Sequence, residues 1–313
     1  MSNLWVLGAA DPEMSVIEGL LRQAEQDVAY ASINGVRVHP GNAYRADVPS
    51  DASAHDRLIL VECGLREDVN GPEWSQPAVT VIDHHRPGDP GFGRPPAKFL
   101  SASSVGQVYA RLNDFSVDEY RFYGCWREPY YVVPSGYEMP LTGDYFDPDP
   151  DWRVPLPRQV VLASAADHCL GAAYRGECPG VDPDDLMSWR VASRAAYQRR
   201  PEADVMADVR SATDALRKAP RLRECEICAC PDPCIEHTVR DMRGPVVPEL
   251  PEAACRLGVG YVAGPLTCPD GRQKTVFSGT PRQVKWFMAC WAPSRLTDVY
   301  GDPDRGFAGG YEA

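Results

Sequence analysis

The chain has 313 residues, 44% of them hydrophobic, and a formal net charge of −12. That length allows a large core and about two domains, while the acidity argues against a sequence-independent grip on long duplex DNA, which needs a basic footprint. No apolar run approaches the ~18 residues of a membrane span, and the first residues run into a strand without a charged and then apolar leader, so a cytoplasmic protein without a membrane partner is expected.

Leu4 to Leu7 reads as a short apolar strand ending at Gly8. Asp11-Pro12-Glu13 then opens a helix, with Asp11 as N-cap and Pro12 at the first helical position. Met14, Ile17, Leu20, Leu21 and Ala24 give it an apolar face. Val28 to Ile33 returns as a strand, and Asn34-Gly35 predicts a type I′ hairpin into Val36-Arg37-Val38. A polar loop, His39 to Tyr44, leads to a strand at Arg57 to Cys63, apolar through Leu58-Ile59-Leu60-Val61.

Ala78 to Ile82 reads as a buried strand, rich in β-branched residues. It ends in Asp83-His84-His85, and a Pro/Gly-rich loop follows from Arg86 to Pro96. Those three side chains therefore sit at the carboxyl end of a strand, where ligands bind in an open α/β sheet. Two imidazoles beside a carboxylate suit a divalent metal or a phosphate. The plainer alternative is that Asp83 caps backbone N–H groups at a loop or helix start.

Ser101 to Leu112 predicts a helix whose first turn offers N–H groups to an anion. Residues 113 to 157 are rich in tyrosine and proline and carry Asp144, Asp147, Asp149 and Asp151; they read as an irregular insertion, either a cover for the site or a packed surface loop. Pro157 to Ala173 reads as a helix carrying the pair Asp167-His168 in an apolar stretch, where a buried charge needs a partner. Asp182 to Ala219 reads as an exposed, connecting helical segment. From Gly244 short strands and turns predict a small C-terminal domain with basic residues that include Arg282, Lys285 and Arg305.

The alternation of strands and helices predicts a mainly parallel α/β sheet flanked by helices, with a smaller C-terminal α+β domain. Asp11, Glu13, Glu62, Asp83, His84, His85 and Asp167 would gather at the sheet's carboxyl edge. Carboxylates with imidazole suit Mn²⁺ or Mg²⁺ better than a thiolate-seeking metal.

Val81-Ile82-Asp83-His84-His85, followed after a loop by Phe99-Leu100-Ser101-Ala102-Ser103-Ser104, resembles the DHH phosphoesterase superfamily, which includes RecJ-like exonucleases, nano-RNases and family II pyrophosphatases. The likeness covers about residues 1–195. Asp11-Pro12-Glu13 looks like the first motif, Leu60-Val61-Glu62 the second, and Ala166-Asp167 the fourth. The resemblance implies that His84 and Asp167 ligate a metal, that Asp83 supports the metal centre and that His85 contacts a phosphate, with Ser103 and Ser104 at the substrate. Glu62 stands where a bridging Asp is usual. The first motif normally supplies a His and two Asp; the matching positions here are Ala9, Glu13 and Ser15, with Asp11 nearby, so one of two metal sites is short of ligands. Completion of the site by His39 or His168 stays open, as do plain helix capping by Asp11 and a helix-dipole role for Glu13.

The implied layout is a DHH-like domain at 1–195, a helical linker with a Cys-rich segment at 196–243, and a small substrate-binding domain at 244–313. In the last, Arg282, Lys285 and Arg305 are candidate phosphate contacts, and the glycines of Gly306 to Tyr311 could let backbone N–H groups approach a phosphate. Ordinary surface charge and a flexible tail are the alternatives. The expected activity is metal-assisted hydrolysis of a nucleotide, short oligonucleotide, cyclic nucleotide or pyrophosphate-type bond. The alternative is a catalytically degenerate domain that binds a nucleotide or a protein. The expected partner is a small phosphorylated molecule, with homodimerisation open.

Eleven cysteines, in a chain with no export signal, read as thiols or metal ligands. Cys225, Cys228, Cys234 and His237 have the spacing of a structural zinc site, with Cys230 as a spare. Reduced thiols in a loop, or an iron–sulfur or redox role, remain open.

Overall fold

The structure, a computed structural model, describes residues 2–66, 77–113, 157–222, 239–268 and 271–312, with the strands Tyr120–Tyr123, Tyr130–Pro134 and Val154–Leu156. The Cys225–His237 cluster lies outside the described residues, as does most of the 113–157 insertion. Two compact units are present: residues 1–168 with 178–181, and residues 169–177 with 182–313.

The first unit is built on a four-stranded, all-parallel sheet. It contains β1 (Asn3–Leu7), β2 (Asp27–Tyr30), β5 (Arg57–Val61) and β6 (Ala78–Ile82) in the order β2-β1-β5-β6. Between β2 and β5, β3 (Ser32–Ile33) and β4 (Val36–Arg37) form the expected hairpin, with Asn34 and Gly35 both at positive φ. The strand read as 28–33 is therefore split in two. α1 (Pro12–Gln23) begins as predicted: Oδ1 of Asp11 accepts from the Met14 N–H at 2.7 Å, and Pro12 occupies the first turn. Met14, Ile17, Leu20 and Leu21 are buried.

β1 and β5 are inner strands and are almost wholly buried. β6 departs from the sequence reading. It lies at the sheet edge, and Val79 and Val81 are 48% and 40% exposed. Its β-branched run came from strand propensity, which does not distinguish an edge from a centre.

The helix read as 101–112 is two helices, α2 (Phe99–Ala102) and α3 (Ser104–Leu112), broken at the extended Ser103. α4 (Arg158–Tyr174) has non-helical backbone at Cys169, where the two units divide. In the insertion, β7 (Tyr120–Tyr123), β8 (Tyr130–Pro134) and β9 (Val154–Leu156) pair antiparallel.

The second unit carries α5 (Pro183–Gln198), α6 (Glu202–Lys218), α7 (Leu250–Leu257) and α8 (Pro281–Trp286). Its sheet, in the order β10-β11-β12-β14-β13, comprises β10 (Val239–Arg243), β11 (Gly260–Thr267), β12 (Gln273–Ser278), β13 (Leu296–Asp302) and β14 (Phe307–Glu312). The helical part of the expected linker belongs to this unit's core. Ala212 and Leu216 of α6 pack with Leu250, Ala253 and Ala254 of α7 and with Tyr261. Buried Glu252 accepts from Arg190 Nε at 2.9 Å and from the Tyr174 hydroxyl, tying α5 to α7. The glycine-rich tail is not an open loop: Gly309 and Gly310 are buried in β14, Gly309 paired with both β12 and β13 and Gly310 with Thr275 of β12. A Cβ on Gly309 would lie 2.5 Å from the Tyr300 hydroxyl, so these glycines serve packing.

Candidate metal centre

Three sheet strands end at the site. Glu62 follows β5, Asp83 follows β6, and the loop after β1 leads to Asp11 at the start of α1. Asp167 arrives from α4. Glu62, His84, His85 and Asp167 each present one ligand atom, and all four atoms lie within 4.8 Å of one another. His84 Nε2 is 2.8 Å from Asp167 Oδ2 and 3.8 Å from Glu62 Oε1. His84 is fully buried, and Glu62 is 8% exposed.

Two backbone features hold this geometry. Glu62 has φ 51°, a left-handed conformation that costs a residue with a Cβ about 1 kcal/mol or more. Gly91 donates its N–H to the Asp83 carbonyl at 3.0 Å, bringing the Pro/Gly loop against His84. A Cβ there would sit 1.9 Å from the Ala102 carbonyl oxygen and 2.7 Å from His84 Cβ, so only glycine fits.

Asp83 lies behind the histidines with both oxygens engaged. Oδ1 accepts from the His84 N–H at 2.7 Å, the His85 N–H at 3.0 Å and His85 Nδ1 at 2.8 Å, while Oδ2 accepts from the Tyr44 hydroxyl at 2.8 Å. Asp83 thus accepts from backbone N–H groups as in the capping alternative, and it is outside the group of candidate metal ligands. Burial pulls its pKa up, but the His85 imidazole and then Tyr44 hold it below the ordinary value. An ionised Asp83 fixes the proton on His85 Nδ1 and leaves the ring's lone pair on Nε2.

The remaining carboxylates are pushed the other way. Burial, then the Asp167 charge, raises Glu62 to about 8. The same two causes raise Asp11 to about 6 and Glu13 well above its ordinary value. Glu62 Oε1 and Glu13 Oε2 are buried with no hydrogen-bond partner. A buried cluster of acids that repel one another, with an orphaned oxygen on a candidate ligand, is the environment a divalent cation relieves. The donor set of carboxylates and imidazoles suits that cation.

Other sequence candidates fall differently. Asp11 is the α1 cap and is not in the ligand group. Glu13 Oε1 accepts from the Val105 N–H at 2.8 Å, so the anion at the α3 N-terminus is the chain's own carboxylate. Ser103 caps α3 through Gly106 N–H at 3.1 Å, and Ser103 and Ser104 are both fully buried. Ser15 at the altered first motif donates to the Asp11 carbonyl at 2.9 Å, and Ala9 is 9% exposed. His168 Nε2 is 2.9 Å from the Arg94 carbonyl, and His39 Nδ1 accepts from the Gly41 N–H, so neither joins the group. Arg282 and Lys285 lie on α8, and Arg305 lies in the turn before β14, all in the second unit.

Sequence reasoning missed two participants. The resemblance gives His85 a phosphate contact and no place among the ligands, although its ring offers a ligand atom to the group. Tyr44 was one polar residue in a loop, and its partner lies 39 positions away. Arg86 stacks its guanidinium 3.0 Å from the Tyr44 ring centroid, closing the same corner.

No helix among the described residues is long and apolar enough to cross a membrane. No protein-family model matches the chain, and no curated protein matches its sequence.

Proposed function

We propose that the first unit is a metal-dependent phosphoesterase of the DHH type, acting on a small phosphorylated substrate, a nucleotide or short oligonucleotide first. The observation that carries this reading is the group Glu62, His84, His85 and Asp167 at the carboxyl edge of a parallel sheet. Glu62, His84 and Asp167 would hold Mn²⁺ or Mg²⁺, with His85 as a further donor. A bound ion of this kind polarises a phosphoryl oxygen and makes hydroxide available from water at neutral pH.

The chain's own residues do the rest. Asp83 fixes the tautomer and orientation of His85, whose side chain is 38% exposed and would donate its Nε2 lone pair to the ion. Burial of Glu62 and His84 keeps water away from the ligand side of the centre. The net charge of −12 favours a small substrate over a long polyanion.

One observation favours a second reading, a nucleotide-binding domain without turnover. Asp11 is spent on capping and Ser15 on the Asp11 carbonyl, so the first motif offers little for a second ion. Release of phosphate or nucleotide from dinucleotides, cyclic dinucleotides, p-nitrophenyl phosphodiesters and pyrophosphate, with Mn²⁺ added, separates the two. Turnover that disappears in His84→Ala supports the hydrolase. No turnover by folded, Mn²⁺-loaded protein supports the binding domain.

A further inference from the structure

In the second unit, the last turn of α4, α7, the β12–α8 turn and the turn before β14 line a partly open pocket of about 160 Å³. Small residues make up much of its lining, among them Gly171, Ala172, Ala254, Gly258, Gly279 and Gly306. A Cβ on Gly171 would lie 3.4 Å from Arg175 Nη1 and 3.7 Å from Cys255 Sγ, so a longer side chain there would crowd the lining. Leu170, Val259 and Phe307 supply apolar wall, and Phe307 is 39% exposed. Burial first, and then the Glu252 charge, push the Cys255 thiol up to about 12, so its sulfur stays neutral and acts as apolar lining.

The charged lining is two cations and one acid, Arg175, Arg305 and Asp304. Arg175 is held by Glu177 at 2.6 Å. The Arg305 guanidinium lies 5.7 Å from the Phe307 ring centroid, so an aromatic and a cation are presented together. An apolar cavity of roughly 150 Å³ accepts one benzene-sized ring, and a purine needs more. Guanidinium groups select a carboxylate or phosphate on that ring.

We propose that this cavity binds a small ligand made of one aromatic six-membered ring bearing an anionic group. Binding here requires no turnover at the metal centre. The ring bears either a carboxylate, as in an aromatic acid, or a sugar phosphate, as in a pyrimidine nucleotide.

The test is calorimetric titration of the full chain in EDTA, in a His84→Ala background that disables the metal centre. The probes are benzoate, phenyl phosphate and uridine monophosphate, with phenol, inorganic phosphate and adenosine monophosphate as controls. At least one ring anion is expected to bind more tightly than phenol or phosphate. Arg305→Gln is expected to weaken it about tenfold, and Gly171→Leu to abolish it. A nucleotide that outbinds benzoate identifies the nucleotide source; the reverse order identifies the aromatic acid. The proposal is overturned if no ring anion binds, if inorganic phosphate or adenosine monophosphate binds equally well, or if Arg305→Gln leaves the affinity unchanged. That last variant is at the rim, so the test survives if Gly171→Leu fails to fold.

Discussion

The Tyr44 hydroxyl donates to Asp83 Oδ2 at 2.8 Å, while Asp83 Oδ1 holds His85 Nδ1. One buried carboxylate thus connects a loop tyrosine to a histidine of the candidate centre. Removing the hydroxyl leaves Oδ2 buried without a donor, at a cost of about 1–3 kcal/mol. Tyr44→Phe is therefore expected to lower stability in urea by that amount and to weaken Mn²⁺ binding. It also moves acid unfolding to higher pH. Asp83 has a depressed folded pKa, so its stabilisation exists above the unfolded value and is lost as pH falls; without Tyr44 that loss begins earlier.

The metal-free protein should lose stability as pH rises. Glu62 shifts from the ordinary 4.5 to about 8 on folding, so the folded state binds the extra proton. Its stabilisation is complete below about pH 4.5 and is lost as pH rises through about 8, at up to ~1.4 kcal/mol per pH unit for one proton. Thermal unfolding in EDTA across pH 5 to 9 (~5 points) reads this slope directly. Glu62→Gln should flatten it, and excess Mn²⁺ should reverse it by binding the ionised form.

Gly91→Ala tests the close approach beneath His84. With a Cβ 1.9 Å from a carbonyl oxygen, the loop must shift. Overpacking of this kind costs about 1–3 kcal/mol. Urea unfolding should show the loss, and Mn²⁺ affinity should fall with it because His84 is displaced.

Asp11 separates capping from ligation. Asp11→Asn keeps an acceptor for the Met14 N–H and should leave both stability and Mn²⁺ affinity nearly unchanged. Asp11→Ala removes the cap and should cost about 0.5–2 kcal/mol in thermal or urea unfolding. A large loss of Mn²⁺ affinity in Asp11→Asn would make Asp11 a ligand instead.

The legible parts of the fold are those fixed by neighbours in sequence. The Asp11-Pro12 helix start, the Asn34-Gly35 turn and the run ending at Asp83 each depend on residues a few positions apart, and each is present. The places of Glu62 and His84 follow from strand ends, whereas Asp167, on α4, is expected beside them from the resemblance. The parts that were not legible depend on distant partners. Glu13 meets Val105 across 92 positions, and no local pattern marks that pairing. β6 carries the composition of a buried strand, yet nothing in it shows that, among the described strands, only β5 pairs with it. The glycines of β14 resemble a loop because their reason, the bulk of Tyr300 and Leu296 across the sheet, lies in other strands.

The most direct test of the central claim is calorimetric titration of metal-free protein with Mn²⁺ at pH 7.5 (~neutral, where carboxylates outside the centre are ionised), for the wild-type chain and His84→Ala. One or more ions bound with a proton released into buffer, and binding lost in His84→Ala, is the predicted result. Absence of saturable binding, or binding that His84→Ala leaves intact, would contradict a metal centre at Glu62, His84, His85 and Asp167.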